Sequence, residues 1–298
     1  MSGFRGDTMI TLDIQGALPY SEGQQLRDKI REIYLMLNPN PDGKLVVCST
    51  KTDYDEYLNQ ITNNVWEAYR IKIPTILFKW MDLAFYSAWF DVPTIIVNYE
   101  KYKKGKKEYV ISELTRNITH MIIHRSPSMY IIPTPDDWID LERRVLLNQA
   151  TVDTAFYILA DGIREFEATR FLVNNHLAEK TIPSIYYKLK LLEKESSIWG
   201  EHLESQSLLF TILLNTFRIL ASVSPLLTIW ENVSDKLVDV TDSIIQKLPI
   251  YMRNDFKWLI EDFLPRLGNN TIKNINITAS IVLSTIVPSF LRMKNSMI

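Results

Sequence analysis

The chain has 298 residues, 46% of them hydrophobic and 23% charged, and a formal net charge of −2. That balance is ordinary for a soluble globular protein, and it argues against broad electrostatic attraction to nucleic acid or anionic membrane. A lone Cys48 excludes an internal disulfide and any Cys-rich zinc site.

The front half alternates strand and helix patterns. Met9–Gln15 reads as a strand, Ser21–Leu37 as a helix with Ser21 as its N-cap, and Lys44–Ser49 as a short β-branched strand. Helices are expected over Thr52–Tyr69 and, after Pro74, over Thr75–Phe90. Asp91-Val92-Pro93 marks a turn before Thr94–Tyr99, the clearest strand pattern of the chain. A solvated basic loop, Lys101–Lys107, leads into a helix from about Tyr109 to Arg125, and Ser126-Pro127-Ser128 ends it.

A second helix-start signal, Thr134-Pro135-Asp136-Asp137, precedes expected helices at Trp138–Asn148 and Val152–Asn175. From Ser184 onward no strand pattern appears. Ile185–Lys194, Ser205–Leu220, Val233–Leu248, Asp255–Leu267 and Ile272–Leu291 all carry helical spacing of apolar residues. The predicted fold class is therefore α+β: a domain over residues 1–180 with a small mixed sheet, then a mainly helical region over 181–298. Leu208–Trp230 is long and apolar but contains Asn215, Arg218 and Pro225, which are costly in lipid. It reads as two buried helices separated at Ser222–Pro225, and no membrane span is expected. The N-terminus lacks a basic start followed by an apolar run, so with one cysteine a cytoplasmic location is expected.

The chemistry centres on His120-Met121-Ile122-Ile123-His124. Residues four apart share one helix face, about 5–6 Å between Cβ atoms, so two imidazoles so placed can grip one zinc ion. Met121 stands where an H-E-x-x-H motif has the glutamate that activates metal-bound water, and a thioether accepts no proton. Methionine there equally suits a core gap. His176 and His202 stand alone and read as surface or capping residues. Asp161 and Glu165, four apart on the next long helix, are the candidate carboxylate ligands; a charged helix face is the competing reading. Glu167 lies on another stripe, within local pairing distance of Arg170.

The order strand Thr94–Tyr99, helix with His120 and His124, then Asp161-Gly162-Ile163, resembles the gluzincin branch of the zincin metallopeptidases over about residues 90–175. The resemblance implies a zincin-like domain in which that strand forms the edge that receives a peptide substrate. It also implies a zinc ion held by the two histidines and a later carboxylate, here Asp161. The departures are Met121 for the general base, aspartate for glutamate at Asp161, and a gap of 37 positions from His124 to Asp161. Glu113, two turns before His120 and so about 10.5 Å away, is out of reach as a base. Glu165 is the nearer substitute, and Tyr130 or Tyr157 could polarise a carbonyl.

Three readings stay open. The first is a degenerate, pseudoenzyme-like metallopeptidase that still binds zinc through His120, His124 and Asp161 or Glu165. The second is an active zinc hydrolase with an atypical base. The third is a metal-free scaffold with a peptide or protein partner, its binding face supplied by the rear helices.

Overall fold

In the computed structural model, residues 10–38, 42–74, 77–78, 81, 83–145, 147–195, 205–227 and 235–295 are described. They form two compact units. The first is Met1–Ile71 with Thr75–Ile131, and the second is Lys72–Pro74 with Ile132–Ile298.

The first unit is built on four strands, β1 (Ile10–Gln15), β2 (Gly43–Cys48), β3 (Ala84–Ser87) and β4 (Thr94–Asn98), in the order β1-β2-β4-β3. β1, β2 and β4 run parallel, and β3 pairs antiparallel to β4. Leu45 to Cys48 and Ile95 to Asn98 are wholly buried, as strands covered on both faces must be. The register separates the two faces. Leu12 and Ile14 lie beside Leu45 and Val47, then Ile95 and Val97, then Tyr86 and Ala84. Onto this face packs α1 (Tyr20–Leu37), whose Gly23 lets the helix settle against Leu12 and Ile14. The opposite face carries Asp13, Lys44 and Cys48, with Tyr57 of α2 (Lys51–Tyr69) against Lys44.

Local chemistry explains most boundaries. Thr50 and Asp53 form a reciprocal capping box that starts α2. Ser21 does not cap α1: the helix begins one residue earlier, after Pro19, whose carbonyl accepts from the Glu22 and Gly23 amides at 3.0 and 3.3 Å.

Three expectations for this unit are corrected. Thr75–Phe90 is not one helix, since it contains strand β3. Ala84, Phe85 and Tyr86 are all buried, so no period-two alternation marks the strand in the sequence. Thr94–Asn98 is interior to the sheet rather than its edge, and the edge on that side is β3. Lys101–Lys107 is not a loop. Asn98 accepts from the Lys101 amide at 3.1 Å and starts α3 (Tyr99–Lys104), supported by a Glu100–Lys104 pair at 2.7 Å. Helix α4 (Lys107–Ile123) follows at once.

In the second unit no strand occurs among the described residues. Its helices are α5 (Asp136–Ile139), α6 (Leu141–Val145), α7 (Gln149–Asn174), α8 (Ile182–Glu195), α9 (Gln206–Leu227), α10 (Asp235–Lys247), α11 (Ile250–Trp258), α12 (Thr271–Ser284) and α13 (Ile286–Asn295). The expected boundary near residue 180 falls inside this unit, between α7 and α8. α7 and α9 form its central pair, and Gly162 makes their close approach feasible: a Cβ there would stand 2.9 Å from the Arg218 Cα. The expected Trp138–Asn148 helix is two short ones joined at Asp140.

α9 runs unbroken through Pro225, against the expected split at Ser222–Pro225. The proline lies in the last turn, where it removes a single backbone bond, and Leu220 to Leu226 are buried around it. Gln206–Leu227 and Thr271–Met293 are long and apolar enough to cross a membrane by length and composition. Of their apolar windows, 78% and 50% respectively is buried within the fold. Trp199, His202 and Trp230 lie outside the described residues.

Candidate functional site

Helix α4 is buried on nearly every side from Ser112 to Met121. It packs on the sheet face that carries Tyr86 and beside α1. Several of its polar residues are bonded within the helix. Asn117 donates to the Glu113 carbonyl at 2.8 Å, Thr119 to the Thr115 carbonyl at 2.9 Å, and Arg116 forms a buried ion pair with Glu113. Glu113 is thus paired with a guanidinium of its own helix.

His120 and His124 meet at the C-terminal end of α4. Their Nδ1 atoms are 2.9 Å apart, and both side chains are buried. One ring donates an N–H and the other accepts it, so the contact holds one proton between two imidazoles. Two nitrogens bound to one tetrahedral zinc at about 2.0–2.1 Å would be separated by about 3.3 Å. The observed spacing is therefore a few tenths of an ångström short of that edge. His124 is the C-cap residue: its amide donates to the His120 carbonyl at 2.8 Å, and its own carbonyl accepts from the Tyr86 hydroxyl at 2.7 Å. The Tyr86 ring stacks on His120 with centroids 5.8 Å apart. Tyr130 joins this aromatic group, 6.1 Å from Tyr86 and 5.3 Å from Trp89.

Met121 does not lie with the imidazoles. It is 1% exposed and its terminal methyl fills the space over Gly43, at the start of β2. A Cβ at Gly43 would overlap that methyl and stand 2.7 Å from the Pro93 carbonyl oxygen. The base position of the motif is therefore a packing position between helix and sheet.

Asp161 and Glu165 belong to the second unit, on α7, and both are buried. The Asp161 carboxylate is held by Arg164 and by Arg218 of α9, each at 3.4 Å, and Arg218 also donates to Asn215 at 3.2 Å. The Arg164 guanidinium lies 5.5 Å from the Tyr157 ring, and burial pushes the Tyr157 hydroxyl above the usual phenol range. Glu167 and Arg170 do not simply pair with each other. Glu167 accepts from Thr271 at 2.7 Å and Asn274 at 2.6 Å, while Arg170 donates to the Leu267 and Gly268 carbonyls.

His176 is exposed in left-handed backbone, φ 60°, just past the end of α7. Cys48 is buried in the sheet, where burial pushes its thiol up to about 12.

Of the candidates, the structure brings His120 and His124 together. Among the described residues no group of three or more His, Cys, Asp or Glu side chains is placed to hold a metal ion. Sequence reasoning missed Tyr86, whose strand was expected to be helical, and Gly43. It also gave Arg164 and Arg218 no role, although a charge inside the apolar run of α9 was a readable signal. No family model matches the chain, and neither a curated protein nor a solved structure matches it.

Proposed function

We propose that this chain is a degenerate zincin-like metallopeptidase relative that has no ordinary peptidase activity and takes zinc at His120 and His124. One observation carries the reading: the two imidazoles meet at 2.9 Å on one side of α4, while Met121 packs over Gly43 on another. A two-histidine grip survives without the carboxylate that would activate water beside it. The resemblance implies Asp161 as the third ligand, and Glu165 is the other carboxylate that the sequence offers on the same helix. The two guanidiniums on Asp161 weigh against that residue as a donor, because ligation would leave buried arginines without their counter-charge.

The test is the metal content of the purified chain after equilibration with zinc, beside His120→Ala, Asp161→Ala and Glu165→Ala. About one zinc per chain, lost in His120→Ala, supports the reading, and the carboxylate variants identify the third ligand. Hydrolysis of peptides that disappears in His120→Ala would replace it with an active hydrolase using an atypical base such as Glu165. A second reading, a metal-free interaction protein, is favoured by the same pair of nitrogens, since their hydrogen bond satisfies both without a metal. Absence of bound zinc at any concentration would select it.

A further inference from the structure

The rings of His120 and His124 stand with centroids 5.1 Å apart and planes inclined by 37°, and it is their Nδ1 atoms that face each other, at 2.9 Å. That separation lies within the range of a hydrogen bond from an N–H donor. Turning either ring over would put a carbon and its hydrogen at the contact. Even weak C–H contacts settle at about 3.3–3.6 Å, so both facing atoms are nitrogen.

A neutral imidazole carries a proton on one ring nitrogen and a lone pair on the other. A bond between two Nδ1 atoms therefore needs two different rings. One has its proton on Nδ1; the other has its proton on Nε2 and turns a lone pair toward its partner. Two rings protonated at Nδ1 would press hydrogens together, and two protonated at Nε2 would oppose lone pairs. Both side chains are buried, where an unmet polar contact is most costly.

The surroundings fix the pair from two directions. The Tyr86 hydroxyl donates to the His124 carbonyl at 2.7 Å, and the Tyr86 ring stacks on His120 at an interplanar angle of 19°. The His124 amide donates to the His120 carbonyl at 2.8 Å, which ties the second histidine to the helix that carries the first.

We propose that this pair is a lock on its own metal site. In the metal-free chain His120 and His124 are opposite tautomers joined by one Nδ1–H···Nδ1 bond. Both Nδ1 atoms become free to hold zinc only when the donor ring moves that proton to its own Nε2. A proton and a metal bond require the same lone pair, so the hydrogen-bonded and metal-holding states exclude each other. The change balances within one ring: the Nδ1–H bond breaks, an Nε2–H bond forms by exchange with solvent, and both rings stay neutral. The release step rests on the zinc reading given above; the opposite tautomers do not.

The experiment is nitrogen-15 NMR of the imidazoles in the full chain at pH 8, first metal-free and then with zinc. His120→Gln assigns the pair among the four histidines of the chain. The expected metal-free spectrum has one ring protonated at Nδ1, one at Nε2, and a scalar coupling between the two Nδ1 nuclei across the bond. With zinc the coupling should vanish, and both rings should carry their proton on Nε2. Two rings of the same tautomer in the metal-free chain, no coupling between their Nδ1 nuclei, or zinc held at an Nε2 would overturn the proposal. Coupling that persists however much zinc is added would overturn the release step together with the zinc reading. The opposite tautomers stand or fall on the metal-free spectrum alone, so the two failures are distinct.

Discussion

At Met121 and Gly43 a single contact separates the sequence motif from its usual chemistry. Met121→Glu restores the letters H-E-x-x-H but places a carboxylate at a position 1% exposed, over Gly43 and near the Pro93 carbonyl. A carboxyl buried this way has its pKa raised above the unfolded value. Its penalty is therefore full above that raised pKa and fades as pH falls from it toward the unfolded value. Met121→Glu should lower the urea midpoint by the equivalent of several kcal/mol at pH 8 and by less at pH 4; equal losses at both would show the side chain reaching water. Gly43→Ala collides with the same methyl and should cost about 1–3 kcal/mol. Cys48 makes an independent check on the core. With its thiol pushed up to about 12 by burial, it should stay unreactive to a disulfide reagent at pH 8 in the native protein and react on unfolding. Prompt reaction in the native state would show the sheet opening at β2.

Among the elements, α4 was legible because its histidines, its apolar spacing and the Ser126-Pro127 stop all agree. Strand β3 was not legible. Its residues are buried on both faces and the strand is only four long, and over such a run helix and strand patterns cannot be told apart. The continuous α9 was misread for the opposite reason: Pro225 was given its usual weight as a breaker, yet in a final turn it costs one bond. The α7/α9 contact offers a test in which two local rules oppose each other. Glycine in a helix interior is worse than alanine by about 0.5–1 kcal/mol, so propensity alone favours Gly162→Ala. The added Cβ would stand 2.9 Å from the Arg218 Cα and 3.2 Å from the Phe217 ring, an overpacking cost of about 1–3 kcal/mol. A net loss in chemical denaturation is expected; a net gain would mean the two helices can slide apart.

Across the molecule, contacts far apart in sequence do what no local signal announces. Glu167 reaches Thr271 and Asn274, and Arg170 reaches Leu267 and Gly268, so one turn of α7 clasps the start of α12. Glu167→Ala should cost about 1.5–3 kcal/mol, as loss of hydrogen bonds to a charged group does. It should also speed hydrogen exchange in the first turns of α12; unchanged exchange there would show the clasp to be dispensable. The sequence by itself determined the α+β front, the helical rear, the histidine pair on one helix face and the methionine that follows the first histidine, because these follow from periodicity, residue chemistry and spacing along one element. Only the tertiary structure decided that Thr94–Asn98 is interior, that Met121 packs over Gly43 and that Asp161 is held by two arginines. Those depend on which residues from distant segments share a neighbourhood, and pairwise burial leaves no period in the chain to read.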